Sequence, residues 1–150
     1  MAAIEYKEYY REKLEAGLEY QDFVMDQLMN IGISLNCYSS KKYQFNKGES
    51  RSGIEIKFDN LRKTTHNLYI EYAEKSNANN ISYVSSGIMR NDNTWLYVIG
   101  DRDVIYILPK AWLIQFKNLP DTIHKKTPTS KGYLFPEILA NKYAAKVIRL

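Results

Sequence analysis

Residues 53–75, "GIEIKFDNLRKTTHNLYIEYAEK", carry the reading on which the fold turns. Ile54, Ile56 and Phe58 alternate with Glu55, Lys57 and Asp59. Strand side chains point alternately to opposite faces, so the apolar three share one face and the charged three the other. In the second half Leu68, Ile70 and Tyr72 fall on one face, and Tyr69, Glu71, Ala73 and Lys75 on the other. The connection "NLRKTTH" is short enough for a hairpin. Paired with their apolar faces on one core, the two strands would present Glu55, Lys57, Asp59, Glu71 and Lys75 together. Carboxylates on adjacent strands converge to hold a hard divalent cation such as Mg²⁺. Such a cation polarises a phosphate oxygen and acidifies a bound water, while a nearby Lys steadies developing charge.

Upstream of this stretch, residues 4–30 have helical periodicity, with Gly17 as a potential break. Leu14, Leu18, Phe23, Val24, Leu28 and Ile31 recur at three- and four-residue intervals, as a core-facing stripe requires. Gly32 supplies the left-handed stop. "ISLNCYS" reads as a strand, and "SSKKYQFNKGESRS" as a polar, basic loop or edge hairpin. Downstream, "SNANNISYVSSGIMRNDN" suggests loops around a short strand. "TWLYVIGD" and "DVIYILP" read as strands joined at "GDRD". Pro109 opens a helix over "PKAWLIQFKNL". "PDTIHKKTPTSKG" reads as a basic loop, and the C-terminal "FPEILANKYAAKVIRL" as a helix to at least Ala145. The order predicts a single domain over residues 1–150 of α+β or α/β class, a central mixed sheet flanked by helices.

Composition is ordinary for a globular chain: 150 residues, 45% apolar and 25% charged. Tyr is the outlier, with 13 copies against 5 Phe and 2 Trp, a choice that suits broad surfaces with one wet edge. Lys and Arg outnumber Asp and Glu by 21 to 17, a mild bias toward an anionic partner. The single Cys37 excludes an internal disulfide and a Cys-based zinc site, and fits a reducing compartment. No apolar run reaches the length of a membrane span, and the N-terminus lacks a signal peptide's apolar centre. The expected location is the cytoplasm.

A helix, a strand ending in Asp and a second strand with Glu and a nearby Lys resemble the PD-(D/E)xK, or restriction-endonuclease-like, nuclease superfamily. Residues 53–76 with "SSGIMRNDNTWLYVIGD" also look like phage and bacterial proteins placed with that fold. The resemblance implies a Mg²⁺- or Mn²⁺-dependent nuclease. Asp59 and Glu71 would bind metal with Glu55 assisting, Lys75 would orient the attacking water, and a helical Glu19 or Gln21 would contribute. Glu19 is favoured on charge. Position 73 is Ala where the motif has Lys, so Lys75 stands in from two residues further along the same face. Glu55-Ile56-Lys57 is itself a Glu-x-Lys. In that registration the upstream strand "ISLNCYS" brings no carboxylate. The implied partner is nucleic acid, DNA before RNA, with a homodimer common among such nucleases. The alternative is a nuclease-fold module without the chemistry, binding nucleic acid or a protein.

Other features have plainer readings. His66 has no ligand-spaced partner and reads as a surface residue, and His124 with Lys125 and Lys126 reads as a solvated basic loop, the alternative being a phosphate contact. Lys41, Lys42, Lys47 and Arg51 interleave with Tyr43 and Phe45, a pattern that binds phosphates and stacks on bases or simply forms an exposed loop. "SSGI" lacks the Gly spacing and Lys of a P-loop. Trp95, Tyr97, Ile99, Val104, Tyr106 and Ile107 are expected in or at the edge of the core.

Overall fold

The structure is a computed structural model and describes residues 3–35 and 48–150. Helix α1 (Ala3–Asn30) runs through Gly17 without interruption. It ends as predicted at Gly32, whose φ is 85°. There Ile33 N–H bonds the Leu28 carbonyl and Gly32 N–H bonds that of Met29, the paired bonds of a left-handed helix stop. Tyr20, Val24 and Leu28 are buried, whereas Leu14, Leu18 and Ile31 of the expected stripe are exposed. Among the described side chains, it is the C-terminal half of the helix that packs on the sheet.

The strands are β1 (Ile54–Phe58), β2 (Asn67–Glu74), β3 (Val84–Ser85), β4 (Leu96–Gly100), β5 (Val104–Pro109), β6 (Ile123–Lys126), β7 (Ser130–Pro136) and β8 (Lys146–Arg149). Short helices α2 (Arg62–Thr65), α3 (Lys110–Lys117) and α4 (Glu137–Tyr143) connect them. Among the described residues the strands form two four-stranded sheets, ordered β1-β4-β5-β8 and β3-β2-β7-β6. The first is mixed, with β1 parallel to β4 and the other pairs antiparallel. The second is antiparallel throughout. The chain is therefore α+β, with two sheets in place of one central sheet.

The hairpin between residues 53–58 and 67–75 does not form, because β1 and β2 belong to different sheets. The cause is local. Asp59 N–H bonds the Gly100 carbonyl, keeping the chain on β4 to the end of β1. Residues 62–65 then coil into α2, which stops at His66 in the left-handed region with φ 56°. That turn redirects the chain into the second sheet. The expected basic loop also differs, since it contains β6 and leads into β7. The C-terminal helix stops at Tyr143 and gives way to β8. Of the expected strand "ISLNCYS", residues 33–35 are described and lie in no strand, while its remainder and most of the basic stretch fall at residues 36–47, outside the described residues.

Alternation along β5 builds two core layers. Ile105 and Ile107 face Tyr20, Val24 and Leu28 together with Ile56 and Val98. Val104, Tyr106 and Leu108 face the other way, packing with Tyr97 and Ile99 against Leu68, Ile70, Tyr133 and Phe135 of the second sheet. A strand covered on both faces reads as a continuous apolar run, as "VIYIL" does. Of the residues expected here only Trp95 is largely exposed. Among the described residues no helix is long and apolar enough to cross a membrane.

Candidate functional site

The residues singled out from the sequence are dispersed. Asp59 acts as a splice between elements: Oδ1 accepts from Leu61 and Arg62 N–H at 3.1 and 3.0 Å, and Oδ2 from Tyr69 N–H at 2.8 Å. Lys75 Nζ donates to the Asn80 carbonyl and lies over the Tyr83 ring, away from any carboxylate pairing. Glu19 faces solvent, whereas Gln21 is buried on the sheet-facing side of α1. Helical geometry keeps residues two apart from sharing a face, so burial of one excludes the other. Glu71 remains half-buried, with Oε1 accepting from Ser130 Oγ at 2.8 Å and Oε2 from Ser86 Oγ at 3.0 Å. Because Ser130 gives its one proton to Glu71, the Tyr69 hydroxyl at 2.7 Å donates to Ser130.

What does converge is the Glu-x-Lys at the centre of β1. Glu55 is buried, and its Oε1 lies 2.7 Å from the Lys57 ammonium, whose side chain is about half exposed. Glu55 raises the Lys57 pKa above its ordinary value, outweighing lost hydration, and Glu49 and Glu71 act in the same sense. Lys57 is thus a fixed cation among three carboxylates.

Glu49 is the residue that sequence reasoning missed. Its Oε2 accepts from the Ile56 N–H at 2.5 Å, placing the carboxylate beside β1 between Glu55 and Lys57 in sequence. Burial, with a smaller contribution from the Glu55 charge, pushes the Glu49 carboxyl up to about 7, against the opposing pull of Lys57. The turn that delivers it is closely specified. Ser50 is fully buried, and its hydroxyl bonds both the carbonyl and the N–H of Ile54. Gly48 and Gly53 hold φ of 116° and 76°, where L side chains are strained. A Cβ on Gly53 would also lie 2.5 Å from the Asn93 carbonyl. Two glycines bracketing an acid just before a Glu-x-Lys strand were the available signal. Glu49 lies in a turn and not on a strand, where the Glu-x-Lys pattern places its acid.

Behind Glu55 the site is polar and enclosed. Thr94 Oγ1 donates to Glu55 Oε2 at 3.3 Å. Tyr97, the register partner of Glu55 on β4, is buried, and among the described residues its hydroxyl has no partner within good hydrogen-bond geometry. Burial raises its pKa, and the charges of Glu55 and Asp92 add to that. Asp92 Oδ2 is likewise buried without a partner, although Oδ1 lies 3.5 Å from Lys110 Nζ.

Among the described residues no three His, Cys, Asp or Glu stand close enough to form a ready metal cage. His66 lies 3.5 Å from Glu137, and His124 bonds the Tyr72 hydroxyl at 3.0 Å. Both are accounted for by these contacts. No protein-family model matches the chain, and neither does any curated protein or solved structure.

Proposed function

We propose that the chain is a metal-dependent nuclease that hydrolyses phosphodiester bonds of DNA. Its chemical centre would be Glu49, Glu55 and Lys57, in place of Asp59, Glu71 and Lys75. The observation that carries the reading is Glu49 bonded to the Ile56 N–H beside the Glu55–Lys57 pair. This brings in the acid that the Glu-x-Lys registration lacked. The resemblance to the PD-(D/E)xK superfamily is the second support.

The residues suit Mg²⁺ or Mn²⁺. Carboxylate oxygens are the ligands such ions prefer, and Glu49 and Glu55 bring two carboxyl groups to β1. Glu49 and Glu55 would hold the ion, which when bound supplies a Lewis acid toward a phosphate oxygen and acidifies water. Lys57 stays protonated, so its part is electrostatic: it orients a phosphate and offsets charge that develops at phosphorus. Glu71, fixed by Ser86 and Ser130, lies within electrostatic reach of that ammonium and keeps it charged.

The test is a cleavage assay on linear, single-stranded and branched DNA with Mn²⁺. Glu49→Gln, Glu55→Gln and Lys57→Met are each expected to slow cutting by about 100-fold or more. Mn²⁺ should also raise the melting temperature of the wild type and leave Glu49→Gln and Glu55→Gln unmoved. Wild-type cutting by Lys57→Met would refute the assignment. A second reading, a nuclease-fold binding module without chemistry, is favoured by the engagement of both Glu71 oxygens and of Lys57 with internal partners. It predicts no Mn²⁺ thermal shift and no cleavage of any substrate.

A further inference from the structure

The second sheet carries a cluster of cations with no ion-pair partner among the described residues. The ammonium groups of Lys75, Lys126 and Lys131 lie 4.5, 5.4 and 4.4 Å from the centroid of one ring, that of Tyr83. Lys126 and Lys131 are directly opposed across β6 and β7. Like charges in that position destabilise a sheet. Among the described residues the ion pairs include none with Lys75, Lys125, Lys126 or Lys131.

The arrangement is held from three sides. The Tyr83 hydroxyl donates to the Thr127 carbonyl at 2.9 Å, tying the segment before β3 to the β6–β7 turn. Lys75 N–H bonds the Thr129 carbonyl at 2.7 Å, and its Nζ bonds the Asn80 carbonyl at 2.7 Å. The negative face of the ring lowers the mutual repulsion of the ammonium groups without removing their charge. What results is a fixed concentration of positive charge on an aromatic support, flanked by exposed Lys125 and by Lys117 over Tyr72.

We infer that the Tyr83–Lys75–Lys126–Lys131 cluster is a phosphate-backbone clamp for nucleic acid, separate from the Glu49–Glu55–Lys57 site. The choice of nucleic acid over another polyanion rests on the proposed nuclease reading. The register of β2 on β7 slips between Glu71 and Ala73, and beyond the slip Ala73 stands opposite Lys131, so Lys75, just past the end of β2, gathers with Lys131 and Lys126 at one end of the sheet. Ammonium groups act as point charges on phosphates, so the contact is to the backbone and tolerates any base sequence. Lys75, implicated in catalysis by the sequence pattern, is thereby assigned to binding.

The experiment measures anisotropy of labelled single- and double-stranded oligonucleotides on the full chain, in EDTA, across a KCl series. The triple variant Lys75→Gln/Lys126→Gln/Lys131→Gln is expected to bind at least about 10-fold more weakly at low salt. Its log–log salt slope should be shallower by about 2 to 3, one counterion's share for each lost phosphate contact. The control Lys142→Gln/Lys146→Gln, on α4 and β8, should keep the wild-type slope. An unchanged melting temperature in the triple variant shows that lost affinity is not lost folding. Equal affinity and slope in wild type and triple variant would overturn the inference. So would a polyglutamate probe that binds as tightly as the oligonucleotides. Lysine-dependent binding with no cleavage in Mn²⁺ would sink the nuclease reading and leave the clamp standing.

Discussion

At Asp59 three backbone N–H groups converge on one carboxylate, from Leu61, Arg62 and Tyr69. Its work in the fold is to end β1, start α2 and hold the first residues of β2. Asp59→Ala leaves those donors without their acceptor, and the expected loss is about 2 kcal/mol, read by urea unfolding. Because both Asp59 oxygens are taken by backbone N–H groups, the proposed nuclease reading expects the same variant to retain Mn²⁺-dependent cutting at permissive temperature. Loss of all cleavage in a folded Asp59→Ala would return the site to the pair Asp59 and Glu71. An Asp at the end of an alternating strand is thus ambiguous in sequence. A cap and a metal ligand use the same side chain at the same place.

Helix α2 is one turn long, too short to persist by its own hydrogen bonds. Arg62 anchors it. Its Nε lies 2.6 Å from Asp101 in the β4–β5 turn, and its Nη1 lies 2.7 Å from Glu137 at the start of α4. Glu137 also accepts from the Tyr106 hydroxyl at 2.9 Å. Burial would raise the Asp101 pKa, but the Arg62 bond and the N–H groups of Asp103 and Val104 outweigh it and the net shift is downward. Four elements meet at one guanidinium. Arg62→Met should cost about 3 to 5 kcal/mol, since it leaves two enclosed carboxylates without their cation. Chemical denaturation measures the loss. Arg62→Lys should recover only part of it, because an ammonium does not reproduce the forked geometry. A loss below about 1 kcal/mol would show that Asp101 and Glu137 rehydrate freely.

Over the whole molecule these groups give stability two opposing slopes with pH. Glu49 sits at about 7 when folded against an ordinary 4.5, so the folded state holds its proton more tightly. Its contribution is complete below the ordinary value and is lost as pH rises through about 7, roughly 3 kcal/mol in all. Asp101 and Glu137 are shifted the other way, so theirs is present above the ordinary values of 3.8 and 4.5 and is lost in acid. Thermal melts should therefore peak at about pH 4.5 to 5, and Glu49→Gln should flatten the decline toward neutrality. A wild-type profile already flat from pH 5 to 8 would contradict the burial of Glu49. Much of this molecule was legible in its sequence. Alternation located β1 and β2, the apolar runs on either side of "GDRD" located β4 and β5, the Pro109 start located α3, and Gly32 the end of α1, because each rests on local geometry. Strand β8 follows a helical pattern with no turn signal between, and β7 was hidden behind a basic Pro- and Ser-containing stretch. The sequence by itself determined which faces are apolar and which charged wherever the strand period is unbroken, as in β1, whereas in β2 a register slip after Glu71 separates it from Ala73 and Lys75. Only the tertiary structure decided which charged faces meet. Strand pairing is a long-range choice, and here one helical turn at residues 62–65 sent β2 to another sheet. "GIEIKFD" thereby kept its Glu-x-Lys, lost its Asp to a cap, and gained its second acid from Glu49 in the turn before it.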